Sequence, residues 1–401
     1  KDPALGSAAW ATIGHLRLVA GQKDLALQAL EQAYDLGPRN GATALLALEL
    51  LETGSLSVEP MVQDYMQHQP APTIQMAYVR VLMEQQRLED AQKQLTPLLK
   101  AQPNMTDAWM AQASLHAQRA AWPQAQQALQ RLESLLLQIP NEAPRTHALT
   151  QAYVLGGRIS LQQKDYPQAL AWLDKVPEET QTLTVQGLKA QALAKQGKLA
   201  QGRALIRAVP ANGDEQEMQK RRAEVTLLRD NGAPQEAYLL QRTLYEQSPR
   251  NADIAYETAI LAERAGKLEV MEKILLDLIA QHPDHYHAYN ALGYSWADRG
   301  IRLPEARKLI ETALSHAPED PFITDSLAWL EFRAGNHAQA LALLEKAYAV
   351  RDDVEIAAHL GEVLWTLGQH NRARTIWRQA QRRDADNETL RATLERLQVT
   401  P

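Results

Sequence analysis

Apolar residues recur three and four positions apart over stretches of about a dozen residues, with polar residues between them, which is the spacing of one face of an α-helix. Near the start, Trp10, Ile13 and Gly14 share such a face, Gly21 interrupts it, and Ala26, Leu30 and Ala33 resume it as far as Pro38. Two helices joined by a short turn are predicted, because glycine ends a helix at low steric cost and proline blocks its continuation. The phrase returns at steps of about 34 residues. Ala91, Leu95, Leu98 and Pro103 carry its second half; Trp109, Ala125 and Leu129, then Tyr153, Gly157, Ala169 and Leu173, carry both. Gly197 with Ile206, then Gly232, Ala237, Leu244 and Pro249, then Gly266, Leu275, Leu278 and Pro283 continue it. A full copy follows in Tyr289, Leu292, Gly293, Trp296, Gly300, Ala306, Ile310, Ala313 and Pro318, with one extra residue in its turn, and two more end at Ala347 and Ala380. The chain reads as eleven hairpins, the second, from near Asn40, marked mainly by spacing and Gly54.

This pattern resembles the tetratricopeptide repeat. The resemblance implies an all-α, right-handed superhelical solenoid in which each hairpin buries on its neighbours the apolar faces it cannot bury alone. Irregularities suggest two arrays, 1–217 and 218–387, followed by a capping helix and tail, 388–401. The stretch 134–149 adds about ten residues, expected as a lengthened second helix or a short extra turn. Repeats five and six close early, at Pro177 and Pro210, so a bend is expected near 177–217. In the tail, Asp386 or Asn387 is placed to cap a helix whose Leu390, Leu394 and Leu397 share one face.

Composition sharpens the picture. Only 2 Phe occur in 401 residues and β-branched runs are few, so strands are not expected. A net charge of -6, with acids and bases interspersed, gives no footprint for nucleic acid. Without cysteine there is no disulfide, thiolate metal site or cysteine nucleophile. No apolar run approaches the roughly 20 residues that a membrane-spanning helix requires.

His282, His285 and His287 crowd one segment, but Pro283 separates the first two from a common helix face, so turn histidines account for them and no metal site is expected. The Gly-Lys of "GKLAQGRALI" lacks the preceding strand and preceding glycine of a phosphate loop, and no Gly-x-Ser-x-Gly or His-Glu-x-x-His is present on a suitable element. Neither catalysis nor a cofactor is expected from a solenoid surface.

In tetratricopeptide arrays the second, fifth, ninth and twelfth places of each first helix face the concave groove. That geometry, carried over, puts Tyr256, Asn290, Tyr294, Asp325, Trp329, Phe332, His359, Glu362 and Trp365 on the C-terminal wall, and Arg80, Arg158, Arg222 and Arg229 further back. Aromatic anchors among polar groups suit an extended peptide or a helix. A second role fits the same residues: Trp329 and Phe332 packed between adjacent first helices, Trp365 beneath the last cap, and the arginines as solvated charge. The Lys-and-Asn pair by which some of these repeats grip a chain terminus is absent, since Asn290 has Tyr294 at the following groove place.

Residues 287–380 carry a narrower resemblance, in "NALGYSWADR", in "DSLAWL" after "PEDP", and in "AAHLGEVLWTLG". These are similar to the long tetratricopeptide lipoproteins of Gram-negative envelopes, among them an adaptor for a carboxy-terminal processing protease. The resemblance implies a non-enzymatic periplasmic scaffold, held at the outer membrane by a lipidated N-terminal cysteine. It would bind a PDZ-type serine protease and present substrates such as peptidoglycan cross-link hydrolases. The chain starts at Lys1 with neither a signal peptide nor a lipidation cysteine, so such an anchor would lie outside it. A scaffold for polysaccharide export or pilus assembly is the alternative.

Overall fold

The computed structural model describes residues 2–68 and 70–401, which form two compact units, one ending at Pro210 and the other Ala211–Pro401. In the first, six hairpins follow one another: α1 (Pro3–Val19) with α2 (Lys23–Leu36), α3 (Gly41–Glu52) with α4 (Glu59–Gln67), α5 (Pro72–Glu84) with α6 (Leu88–Ala101), α7 (Thr106–Gln118) with α8 (Trp122–Leu136), α9 (Glu142–Gln162) with α10 (Tyr166–Leu173), and α11 (Leu183–Lys195) with α12 (Leu199–Ala208). Five make up the second: α13 (Asp214–Arg229) with α14 (Pro234–Gln247), α15 (Ala252–Arg264) with α16 (Leu268–Gln281), α17 (Tyr286–Asp298) with α18 (Leu303–His316), α19 (Pro321–Arg333) with α20 (His337–Val350), and α21 (Val354–Thr366) with α22 (His370–Arg383). A single helix, α23 (Glu388–Leu397), follows. The described residues contain no strand.

Within each unit a first helix packs on the second helix of the preceding hairpin, as α14 on α15, α16 on α17 and α18 on α19 show. First helices also meet directly, as in α3 with α5, α17 with α19 and α19 with α21, whereas successive second helices make no comparable contact among the described residues. Elements that crowd together lie on the inside of a curve. The first helices therefore line the inner side of each stack.

Small residues set the closeness of each hairpin. Ala26, Ala91, Ala125, Ala169, Ala237, Ala306, Ala340 and Ala373 begin the second helices and are wholly buried. Gly202 holds that place in the sixth hairpin, where a β-carbon would meet the Ala190 carbonyl oxygen at 2.7 Å. On the facing helix, a β-carbon at Gly293 would come within 2.7 Å of Ile310, and one at Gly361 would strike the Trp377 indole. Such contacts cannot relax without separating the helices.

Every hairpin turn contains a residue with positive φ. Glycine fills it in eight of them, as at Gly21, Gly266 and Gly368. In the third, fourth and fifth hairpins Gln86, Ala120 and Lys164 take the left-handed conformation instead, at φ 61, 54 and 63°. The extra residue of the ninth turn is accommodated by a second left-handed residue, Arg302 at φ 47°.

The additional residues of 134–149 build neither of the features expected of them. They extend the next first helix backwards: α9 runs for 21 residues, whereas α8 runs for 15. Asn141 starts α9 in an extended conformation, and a helix in place of a loop pairs the backbone groups of the inserted stretch internally. The short second helices are as expected, with 8 residues in α10 and 10 in α12. At the C-terminus Asn387 caps α23 by accepting from the Leu390 N–H at 3.0 Å, and Leu390 and Leu394 are buried against the last hairpin.

A β-carbon at Gly335 would meet nothing within 4 Å, so its φ of 88° isolates the backbone cost of the turn. Gly335→Ala is expected to lower stability by about 1 kcal/mol, whereas Ala120→Gly raises it by about 0.5 kcal/mol, both read from urea unfolding followed by circular dichroism. Equal effects of one sign would contradict the conformational origin.

Candidate functional site

The inner wall of the last three hairpins is built on a buried polar layer. Asp325 is 6 % exposed, Trp329 4 %, His359 3 % and Glu362 4 %. The His359 Nδ1 lies 2.9 and 3.0 Å from the two Asp325 carboxylate oxygens. A carboxylate only accepts, so Nδ1 carries a proton in either charge state, and Nε2, 3.4 Å from the Tyr294 hydroxyl, is the nitrogen that titrates. Trp329 stacks on the imidazole at 4.2 Å and donates its indole N–H to Asp298 Oδ1 at 2.9 Å. Glu362 is paired with Arg396 of α23 at 2.6 Å, so the terminal helix neutralises a buried charge. Glu331, also buried, is held by Arg307 and by Asn336, and the Arg307 hydrogen bond keeps its carboxyl below the usual range against the opposing effect of burial.

These four residues do not present side chains to a partner. Groove places give direction along the wall but not depth, and here the neighbouring first helices approach closely enough to cover them. Tyr294, Phe332, Trp365, Asn290 and Tyr256 keep partial exposure and form the accessible layer. Phe332 lies 5.0 Å from Trp329, and Trp365 is flanked by His370 at 4.1 Å, Trp377 at 5.8 Å and the Arg374 guanidinium at 5.1 Å. Burial, then the nearby Asp298 and Asp325 charges, push the Tyr294 hydroxyl well above its ordinary pKa, so it remains a neutral donor. Asn290 has a buried Oδ1 with no hydrogen-bond partner among the described residues.

Further back, Arg222, Arg229 and Tyr256 come together around a cleft of about 400 Å³ between α13, α14 and α15. The tyrosine ring rests against His285 at 5.3 Å and His287 at 6.2 Å. His285 is itself a helix cap, its Nδ1 accepting the Ala288 N–H at 3.2 Å, while His282 ends α16. No group of three or more metal-ligating side chains occurs among the described residues.

Gln241 and Glu257 line the same cleft and were not singled out from the groove geometry. Gln241 stands on a second helix, which that geometry ignores. A signal was nonetheless present: the place holds Leu30, Leu95, Leu129, Leu173, Ile206, Leu275, Ile310, Leu344 and Trp377 in other hairpins. In the first unit Met76, Met83 and Met110 border a separate groove of about 680 Å³. There Arg80 is bound to Asp107 at 3.0 Å, an exposed pair of little energetic weight.

Burial alone would pull the His359 pKa down, but the Asp325 charge and hydrogen bond, with Glu362 and Glu355 behind them, raise it above its ordinary value near 6.5. The folded value then exceeds the unfolded one, so this stabilisation is complete below about pH 6.5 and is lost as pH rises through the folded value. Replacing His359 by Gln leaves Asp325 buried without its partner and is expected to cost about 3 kcal/mol at pH 6. The cost shrinks at higher pH, as the difference between wild-type and variant denaturation curves will show; a pH-independent difference would exclude a charged pair.

Two segments, residues 78–135 and 331–397, match family models described as tetratricopeptide repeat. A TPR repeat-containing protein of Pseudomonas aeruginosa is 34 % identical over 206 residues, which is 51 % of this chain and 35 % of that protein. The matched stretch thus spans about a third of the relative's length. Among solved structures, yeast Tom70 superposes with a TM-score of 0.50 at 13 % identity, covering 98 % of this chain and 94 % of that one. A thermophilic TPR protein of Thermus thermophilus gives 0.41 at 19 % identity, over 45 % of this chain and 99 % of its own. The repeat matches in these two segments and the likeness of fold to Tom70 agree with the stacked hairpins: the fold is an all-α array of helical hairpins of the tetratricopeptide type.

Proposed function

We propose that the chain is a non-enzymatic adaptor of the Gram-negative periplasm. It binds a carboxy-terminal processing serine protease and presents protein substrates to it, cell-wall hydrolases that cut peptidoglycan cross-links being the expected kind. In the full-length protein a lipid anchor at the outer membrane would place both partners near the wall. The observation that carries this reading is the two-layer inner wall of the second unit. Tyr256, Asn290, Tyr294, Phe332 and Trp365 remain accessible over a layer pinned by the His359–Asp325 and Arg396–Glu362 pairs. A partner meeting such a wall loses little freedom in ordering it, so more of the contact energy appears as affinity. Holding two proteins on one array raises their effective concentration for each other without any chemistry by the scaffold.

The choice of setting comes from the resemblance in residues 287–380, while the 34 % identity to the Pseudomonas protein supports the repeat array on which the reading is built. The test is reconstitution with a carboxy-terminal processing protease and a cross-link hydrolase, following disappearance of the hydrolase. With the array present, proteolysis is expected to accelerate at least about ten-fold, and Trp365→Ala with Phe332→Ala to reduce that gain several-fold while the helical signal is retained. No acceleration, together with capture of only export or pilus components from envelope extracts, would move the function to those machines.

A further inference from the structure

Because second helices splay apart on the outer side of each stack, a groove opens between neighbours there, with a first helix as its floor. One such groove, of about 550 Å³, lies between α6 and α8 over α7, a volume ordinary for a small-molecule site. Its floor departs from the repeat. Gln112 and His116 hold the places of Leu46 and Leu50 in the second hairpin, Tyr78 and Leu82 in the third, Leu292 and Trp296 in the ninth, and Leu360 and Leu364 in the last. Gln112 is 8 % exposed, and its amide nitrogen donates to His116 Nε2 and, at 3.3 Å, to Gln92 Oε1. Gln92 returns a bond to Gln112 Oε1 at 3.4 Å and donates to the Thr96 hydroxyl at 2.9 Å. An aliphatic floor like that of the other hairpins would need none of this pairing, whereas here a connected set of neutral polar groups is held in fixed orientation.

The wall supplies what the floor has already used. Gln124 and Gln127 stand about one turn apart on α8, are exposed, and make no hydrogen bond among the described residues. Each amide sets donors and an acceptor side by side. Trp109 lines the groove, its indole N–H taken by the Pro103 carbonyl at 2.9 Å, and Leu99 and Ala128 complete the apolar part. Among the described lining residues none is a carboxylate, and Arg131, hydrogen-bonded to Asn104 at 3.2 Å, is the one charged group. Burial, with the Arg119 charge behind it, holds the His116 pKa below its ordinary value, so its imidazole is neutral at pH 7. We infer that this outer groove binds an uncharged pyranose segment of a glycan. Adjacent hydroxyls accept from the Gln124 and Gln127 amide nitrogens and donate to their oxygens, and the C–H face of the sugar ring rests on Trp109. Nothing in the groove beyond Arg131 selects a charged side chain, so paired amides beside an indole favour a ring bearing adjacent hydroxyls over a peptide. The adaptor reading uses the inner wall, and this site does not depend on it.

The test is saturation-transfer NMR on the full chain with cellotetraose, tetra-N-acetylchitotetraose and an acetylated, amidated Gly/Ser tetrapeptide, each titrated to tens of millimolar. At least one sugar is expected to bind in the millimolar range, and the tetrapeptide at least about ten-fold more weakly. Binding of either sugar supports the class and shows whether an acetamido group is accommodated. Gln124→Ala with Gln127→Ala, both on the exposed side of α8, is expected to weaken that sugar at least about ten-fold at an unchanged melting temperature. Trp109→Phe and Trp109→Leu both lose the bond to Pro103, so a sugar affinity kept by the first and lost by the second reports the aromatic face and not the fold. The idea is overturned by no transfer to either sugar, by sugar binding that the α8 double variant leaves unchanged, or by equal affinity in the Phe and Leu variants. A tetrapeptide that binds as tightly as the sugars would make the groove a peptide site and overturn it as well.

Discussion

The distance between the two helices of a hairpin governs the rest of the molecule. At nine of the eleven crossings the second helix carries at most a methyl group, and where alanine is still too large, as at Gly202 facing the Ala190 carbonyl, the side chain is dispensed with altogether. Closeness of this kind makes a hairpin a thin, flat unit with an apolar face on each side, and burial of those faces is possible only by stacking. The inner wall and the cleft beside α14 are both products of that stacking. A change at the crossing would therefore be felt at surfaces that the altered residue never touches.

Most of this was legible in the residues, because the repeat multiplies a weak local signal. One Ala-x3-Leu pair says little; the same pair at a fixed interval identifies a hairpin even where its turn glycine is missing, as at Gln86, Ala120 and Lys164. The insertion before α9 is the exception, because extra residues between two helices carry no label saying which helix they extend. Periodicity there serves either side, and the structure gives the residues to α9.

The wall was legible in direction but not in depth. Asp325, Trp329, His359 and Glu362 occupy groove places and yet lie beneath the surface, because neighbouring first helices meet directly and cover them. Their polar atoms are satisfied by one another, by Asp298 and Tyr294, and by Arg396, a residue 34 positions from Glu362, and no local pattern announces such a pairing. Gln241 is the opposite case. Its anomaly stands in the sequence, visible once the hairpins are laid over one another, but a rule confined to first helices does not look there.

The left-handed turns without glycine have a consequence for how the first unit opens. They fall in three successive hairpins, so most of the backbone cost of the turns lies in one block, Arg302 in the ninth being the other turn residue that bears it. In a linear array each hairpin is held by its intrinsic stability plus the interfaces it shares with its neighbours. A block whose members are intrinsically weaker leans more on those interfaces and gains or loses order together. The middle of the first unit is thus a natural cooperative segment, in which a ligand gripping one hairpin would tighten the two beside it.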